Sequence, residues 1–301
     1  MIDETFPFID LPADRSRVKP RRSGLTMMAD FGLTLEHTES VLGLCGAFID
    51  FAKIAVGTAR LYSRSYLVKK LALYKSHTVR PFIGGQFAEY VFATQGRAAL
   101  PRFFGEVLAL GFDTIEISDT CVPLNDKERT EVIGEAINSG LKVFGEVGSK
   151  DRKSTAADLI AQAGLCFAMG SELVLVEAAE FVEGDQLNTE LIDAVAGALD
   201  MSRVMIELPG PWISGVSSAQ AYDMRKLLVS AFGPDVNIAN VKPDDVFETE
   251  ALRVGLGVVG PDATQATSRG QIREEHHDQQ APTPCDARRF GSNRSGERRS
   301  C

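Results

Sequence analysis

The chain has 301 residues, 44% of them hydrophobic and 24% charged, with a formal net charge of −9. That length fits one large domain or two ordinary ones, and the composition excludes a collagenous, disulfide-stapled or wholly disordered chain. Net negative charge also excludes phosphate-backbone binding as the main activity, so no nucleic-acid partner is expected.

The first residues, MIDETFPFIDLPADRSRVKPRR, carry acids where a signal peptide needs cations, and they contain no long apolar run. Nowhere do uninterrupted apolar residues reach the roughly 18 that a membrane helix needs. The five cysteines, at 45, 121, 166, 285 and 301, are irregularly spaced with no CxxC pair. They read as free thiols in a reducing compartment, so a cytoplasmic location without membrane contact is expected.

Eight short runs follow, each rich in Val, Ile, Phe or Thr and bounded by polar or Gly residues: 24–30, 48–54, 78–85, 113–118, 141–148, 172–178, 202–209 and 236–241. Such runs read as buried parallel strands. Segments with apolar residues at helical spacing lie between them, several ending in Gly, as at Gly111, Gly140 and Gly170. The strands are predicted to end at Asp30, Lys53, Gly84, Ser118, Glu146, Glu177, Glu207 and Asn240, separated by roughly 30 residues, the length of a compact βα unit. Eight such units predict an α/β fold, a (β/α)8 TIM barrel. A doubly wound open sheet is disfavoured, because no GxGxxG follows the first strand.

The predicted organisation is an N-terminal extension over 1–20, the barrel over 21–258 and a disordered tail over 259–301. Residues 261–301 hold seven Arg, six acids and only two large apolar side chains, Ile272 and Phe290, too few to build a core. Function is therefore sought in the barrel.

In such a barrel chemistry sits where the strands finish. Nearly every strand here finishes on a functional group: Asp30, then Asp50 and Lys53, then Glu116, Ser118 and Asp119, then Glu146 with Lys150 beyond it, Glu177, Glu207, and Asn237 with Asn240. Burying so many ionisable groups without purpose would be costly, so convergence on one mouth is expected. Carboxylates beside a lysine suit a hard divalent cation such as Mg²⁺ and the stabilisation of an enolate. No histidine falls at a strand end, which excludes a His-based zinc site. The Gly84–Gly85 pair either lets backbone N–H groups approach an anion or makes a tight turn with positive φ. Trp212 either walls a substrate pocket or covers the rim.

Several stretches together resemble the phosphosulfolactate synthase family, and more distantly its plant heat-stress-associated relatives: GLTMMADFGL (24–33), FIDFAKIAVGT (48–58), GGxxxEY (84–90), GFDTIEISD (111–119), EVGSK (146–150), VEA (176–178), the NIANV region and DDVFETEALRVGL (244–256). The resemblance implies a carbon–sulfur lyase of sulfonate and coenzyme M biosynthesis, in which Mg²⁺ assists addition of sulfite to phosphoenolpyruvate. It implies Lys150 as proton donor, counted as catalytic with Glu146 and Lys53. Glu146, Glu177 and Glu207 are implied as the metal shell or as groups orienting the lysine. Arg22, Gly84, Gly85, Ser118, Asp119, Trp212 and Asn240 are the candidate substrate contacts, with Arg22 and Lys53 suited to phosphate or carboxylate. The oligomeric state is left open, a homo-oligomer included.

The chain departs from the family pattern at three places. AAEFVE (178–183) lacks an expected Arg, LPGPW (208–212) lacks a Lys, and Ser149 replaces one of two adjacent lysines. Either Arg60, Arg64, Lys70, Arg80, Arg152 or Lys153 takes over, or the acceptor is less anionic, or the chain is a non-catalytic family member.

Overall fold

The computed structural model describes residues 5–257 apart from 12, 14, 149–152, 184–185 and 211–215. The predicted tail, Lys150, Arg152 and Trp212 lie outside the described residues. The short branched and aromatic runs form the barrel strands β1 (Thr26–Asp30), β2 (Phe51–Ile54), β3 (Arg80–Ile83), β4 (Thr114–Ile117), β5 (Lys142–Val147), β6 (Leu173–Glu177), β7 (Val204–Glu207) and β8 (Ile238–Val241). Every predicted strand end falls within one residue of the observed one. The strands pair in parallel and the circle closes where β1 meets β8, Thr26 opposite Ile238 and Met28 opposite Val241. That closure makes the fold a (β/α)8 barrel and excludes the open doubly wound sheet.

Helices α1 (Leu35–Cys45), α2 (Arg64–Ser76), α3 (Gly85–Gln95), α4 (Leu100–Leu110), α5 (Asp126–Asn138), α6 (Ala156–Ala168), α7 (Thr189–Ala198), α8 (Ser218–Phe232) and α9 (Val246–Arg253) surround the strands. Their starts are set locally. Asn125 with Glu128, Thr155 with Asp158, and Ser217 with Gln220 form reciprocal capping boxes that satisfy first-turn N–H groups. Gly111 ends α4 at φ 103°, a conformation that a side chain would strain.

Strand alternation divides the apolar residues into two cores. Met27, Phe51, Phe82, Phe144, Leu175, Met205 and Ala239 fill the barrel interior, with Phe144 edge-on to Phe51 and to Phe82 at 5.1 Å. Met28, Ala52, Ile54, Ile83, Ile115 and Ile117 face the helices. Burying each such side chain contributes about 1.5–3 kcal/mol, and the interior layer also floors the mouth above it.

The end where the strands begin is closed by cations. Arg15 donates to both oxygens of Glu250 on α9, at 2.7 and 3.1 Å, and to the carbonyl of Gly24. Arg21 pairs with Asp50 at 2.5 Å, and Asp50 also accepts from the Thr26 N–H. Asp50 precedes β2 and Asn237 precedes β8. The expectation that either finishes its strand is therefore corrected. Asn237 accepts from the Leu25 N–H and donates to the Val204 carbonyl, pinning the strand starts together. Residues 15–21 thus lace the first and last parts of the barrel.

Removing Arg15 would leave Glu250 buried without its counter-charge. Arg15→Ala is expected to cost about 3–5 kcal/mol in urea unfolding. Arg17→Ala, which loses only a contact over the Phe48 ring, is expected to cost less than about 1 kcal/mol. Equal effects would remove the special role of Arg15.

Candidate active site

At the opposite end, inward positions on five strands carry charge. Lys53 on β2 reaches Glu116 on β4 at 2.7 Å and Glu207 on β7 at 2.8 Å. Glu146 on β5 and Glu177 on β6 complete the group, and all four carboxylates are at most 5% exposed. One ammonium faces four carboxylates inside a low-dielectric barrel. Burial alone would pull the Lys53 ammonium down, but Glu116, Glu207 and Glu146 outweigh it, so its pKa is raised and it stays charged. Burial, reinforced by Glu207 and Glu116, pushes the Glu146 carboxyl well above the usual carboxylate range. Glu116 is pushed up as well, by burial against the pull of Lys53.

Glu146, Glu177 and Glu207 each offer an oxygen within 4.8 Å of the other two. Glu146 Oε1 is buried and accepts no hydrogen bond among the described residues. An all-oxygen, anionic set with an unsatisfied buried acceptor fits a hard divalent cation and does not suit a soft one. This trio could therefore hold a metal ion.

The glycine pair works differently from either expectation. Gly84 has φ −64°, so no positive φ is required there. A Cβ at Gly84 would lie 3.3 Å from Lys53 Cε, and one at Gly85 would lie 2.2 Å from Ser118 Oγ. The glycines make room for Lys53 and Ser118. The Gly85 N–H does meet an anion, but the anion is Glu116 Oε1, at 3.1 Å.

Other predicted residues are engaged elsewhere. Arg22 lies at the opposite end of the barrel, before β1, lining the basal cavity with Arg80 and Arg203, so it does not contact substrate at this mouth. Asp119 pairs with Arg129 at 2.5 Å, and alternation places it with the outward Ile115 and Ile117. Ser118 donates to Glu89 rather than into the mouth. Asp30 points outward into a buried pair with Lys70 at 2.7 Å and accepts from the Tyr74 hydroxyl, while its other oxygen holds the Gly32 and Leu33 N–H groups. Asn240 stays at the strand end, in the left-handed region at φ 59° and half-buried. Among the proposed substitute cations, Lys70 is taken by Asp30, Arg64 by Glu106, Arg80 by Glu172, and Lys153 by the Ala179 and Val182 carbonyls. Arg60, on the exposed turn after β2, has no such partner among the described residues.

Two further buried glutamates lie outside the metal trio: Glu89, which falls in the GGxxxEY stretch but has no role assigned from sequence, and Glu180, which the sequence does not single out. Glu89 on α3 accepts from Ser118, Thr120 and the Cys121 and Val122 N–H groups. Glu180, in the turn after β6, accepts from the N–H and hydroxyl of Ser154. Neither sits at a strand end, so strand periodicity could not find them. The signals at Glu89 are its place in the GGxxxEY stretch and an acid inside an otherwise apolar helical face.

Fold and site together define a parallel (β/α)8 barrel with a carboxylate–lysine centre able to take a metal at the strand C-termini, the place where barrel enzymes carry their chemistry. The chain belongs to the (2R)-phospho-3-sulfolactate synthase (ComA) family, whose family model matches residues 14–258. It is 30% identical to phosphosulfolactate synthase of Methanocaldococcus jannaschii over 77% of this chain and 92% of that protein. Identity to the Methanothermobacter thermautotrophicus phosphosulfolactate synthase is 29%, over 79% and 91%. The Arabidopsis thaliana protein HEAT-STRESS-ASSOCIATED 32 is 24% identical over 78% and 87%.

The raised Glu146 carboxyl predicts a pH signature. Above the ordinary carboxylate value of 4.5, the folded protein retains a proton that the unfolded chain has released. Unfolding free energy therefore falls as pH rises through the window between that value and the higher native one. In chelator, the denaturation midpoint of wild type relative to Glu146→Gln is expected to fall as pH rises above 4.5. Saturating Mg²⁺, taking the place of the proton, is expected to flatten the difference. A difference independent of pH in chelator would refute the assignment.

Proposed function

We propose that the protein is a carbon–sulfur lyase that adds sulfite to C3 of phosphoenolpyruvate, with Mg²⁺ as its metal. The observation that carries this reading is the buried group of Lys53 with Glu116, Glu146, Glu177 and Glu207, in a chain whose family membership spans the whole barrel. Glu146, Glu177 and Glu207 would hold the metal, which when bound supplies positive charge to stabilise the substrate carboxylate as electrons flow into it.

The remaining work falls to the chain's own side chains. A sulfur lone pair forms the S–C3 bond, the C2=C3 electron pair moves toward C2 and the carboxylate, and C2 takes a proton. Lys53, held charged by two carboxylates, is a fixed counter-charge and a poor proton donor. Lys150 is assigned the role of donor to C2 from the family resemblance. Glu116, braced by the Gly85 N–H, keeps Lys53 in place. Among the described substitute cations, Arg60 is the one without an ion pair or side-chain hydrogen bond of its own, and it would receive phosphate. Asn240, at the end of β8, is a polar contact for the substrate.

A second reading keeps the same centre but takes a less anionic acceptor. It is favoured by the engagement of Lys70, Arg64, Arg80 and Lys153 in contacts of their own.

Incubation with phosphoenolpyruvate, sulfite and Mg²⁺ is expected to give phosphosulfolactate, detected by mass spectrometry. Lys150→Ala should lower turnover by about 10²–10⁴-fold, the usual range for losing a general acid, without altering the unfolding midpoint. Absence of product from about pH 6 to about pH 9 sinks the sulfite reaction and favours the second reading, since a donor with a tuned pKa works within that range.

A further inference from the structure

We infer that Glu89 is a positioning residue for the carboxylate centre, acting through the end of β4. The inference rests on the metal reading given above, but its geometry is independent of it. Glu89 sits on the second turn of α3, only 4% exposed, and is not one of the three grouped carboxylates. Its two oxygens collect four donors from one short loop. Oε1 accepts the Ser118 hydroxyl and, at 3.3 Å, that of Thr120. Oε2 accepts the N–H groups of Cys121 and Val122 at 2.6 and 2.7 Å.

A buried carboxylate that accepts backbone N–H groups fixes a loop strongly, because each charge-assisted bond is shorter and stronger than a neutral one. Losing the acceptor would leave several donors buried and unsatisfied. The clamped loop begins two residues after Glu116. The same helix also holds Glu116 from its first residue, through the Gly85 N–H. Helix α3 therefore grips β4 twice, at the Glu116 carboxylate and at the loop beyond it. Ser118 fits between the two grips only because Gly85 has no side chain, a Cβ there lying 2.8 Å from Ser118 Cβ.

From Glu116 the constraint passes to the metal trio through one bridging residue, Lys53. Lys53 bridges Glu116 to Glu207, and Glu207 is one of the three grouped carboxylates. The neighbouring strand end is held in the same manner. Glu180 accepts from Ser154 beyond β5, and its Oε1 would lie 3.1 Å from a Cβ at Gly148. An acid outside the centre, clamping the loop that follows a strand bearing a centre carboxylate, thus occurs at both β4 and β5. Glu89 carries four such bonds from its loop.

The test compares Glu89→Ala and Glu89→Gln with wild type by amide hydrogen exchange and by Mg²⁺ titration calorimetry, at a temperature where all three are folded. In Glu89→Ala the Cys121 and Val122 amides are expected to exchange at least about tenfold faster, as must the Gly85 amide, and Mg²⁺ affinity should weaken about tenfold, at the low end for outer-shell groups. Glu89→Gln keeps an oxygen for the two N–H groups and should restore both readouts to within about threefold. Faster exchange at Cys121 and Val122 with Gly85 and Mg²⁺ affinity unchanged would reduce Glu89 to a loop stabiliser and overturn the inference. Wild-type protein that takes up no Mg²⁺ would remove the metal reading alone, and the Gly85 amide would then decide the role of Glu89.

Discussion

The structure turns on one crowded electrostatic contact, a single lysine buried among four carboxylates inside a parallel barrel. Isolated, each of these charges would be too costly to bury. Lys53 neutralises part of the cluster by bridging Glu116 and Glu207, and burial, reinforced by the excess acid, raises the Glu146 carboxyl. A centre in this state has a standing demand for further positive charge, from protons or from a cation. The same demand sets local backbone composition. Gly84 carries no side chain because the Lys53 stem passes it, and the Gly85 N–H faces Glu116 because that oxygen needs a donor.

Charge is distributed unequally between the two ends of the barrel. The end where strands begin uses its cations structurally. Arg15 holds Glu250, Arg21 holds Asp50, and Arg253 donates to the Pro234 and Val236 carbonyls. Among the described residues, the mouth keeps one lysine, Lys53, enclosed by carboxylates. Further positive charge at this end would have to come from a bound cation or from loops around the rim, and this separates a stable base from an electrostatically hungry site.

Much of this was legible in the chain itself. Strand ends could be placed because each strand is a short branched run terminated by a polar residue, and TIEIS and KVFGEV already alternate apolar and charged positions. Alternation also separates Glu116, flanked by the outward Ile115 and Ile117, from Asp119. Asp50 and Asn237 were misplaced because a polar residue looks the same before a strand as after it. Arg22 was misplaced for a related reason: nothing local says which end of the barrel a flanking cation will reach. The roles of Glu89 and Glu180 were hidden because their partners lie in loops 25 or more residues away in sequence, at Ser118–Val122 and Ser154.

By itself, then, the sequence determined the barrel, its strand ends and the carboxylate-rich character of the mouth. These follow from periodicity and from the cost of burying charge, both of which act locally along the chain. Tertiary structure alone decided which charges meet. It paired Lys53 with Glu116 and Glu207, turned Asp30 outward to Lys70, and gave Ser118 to Glu89. Closure of eight strands into a circle brings residues more than a hundred positions apart within hydrogen-bond reach, as with Lys53 and Glu207 at 2.8 Å, and no local pattern encodes that distance.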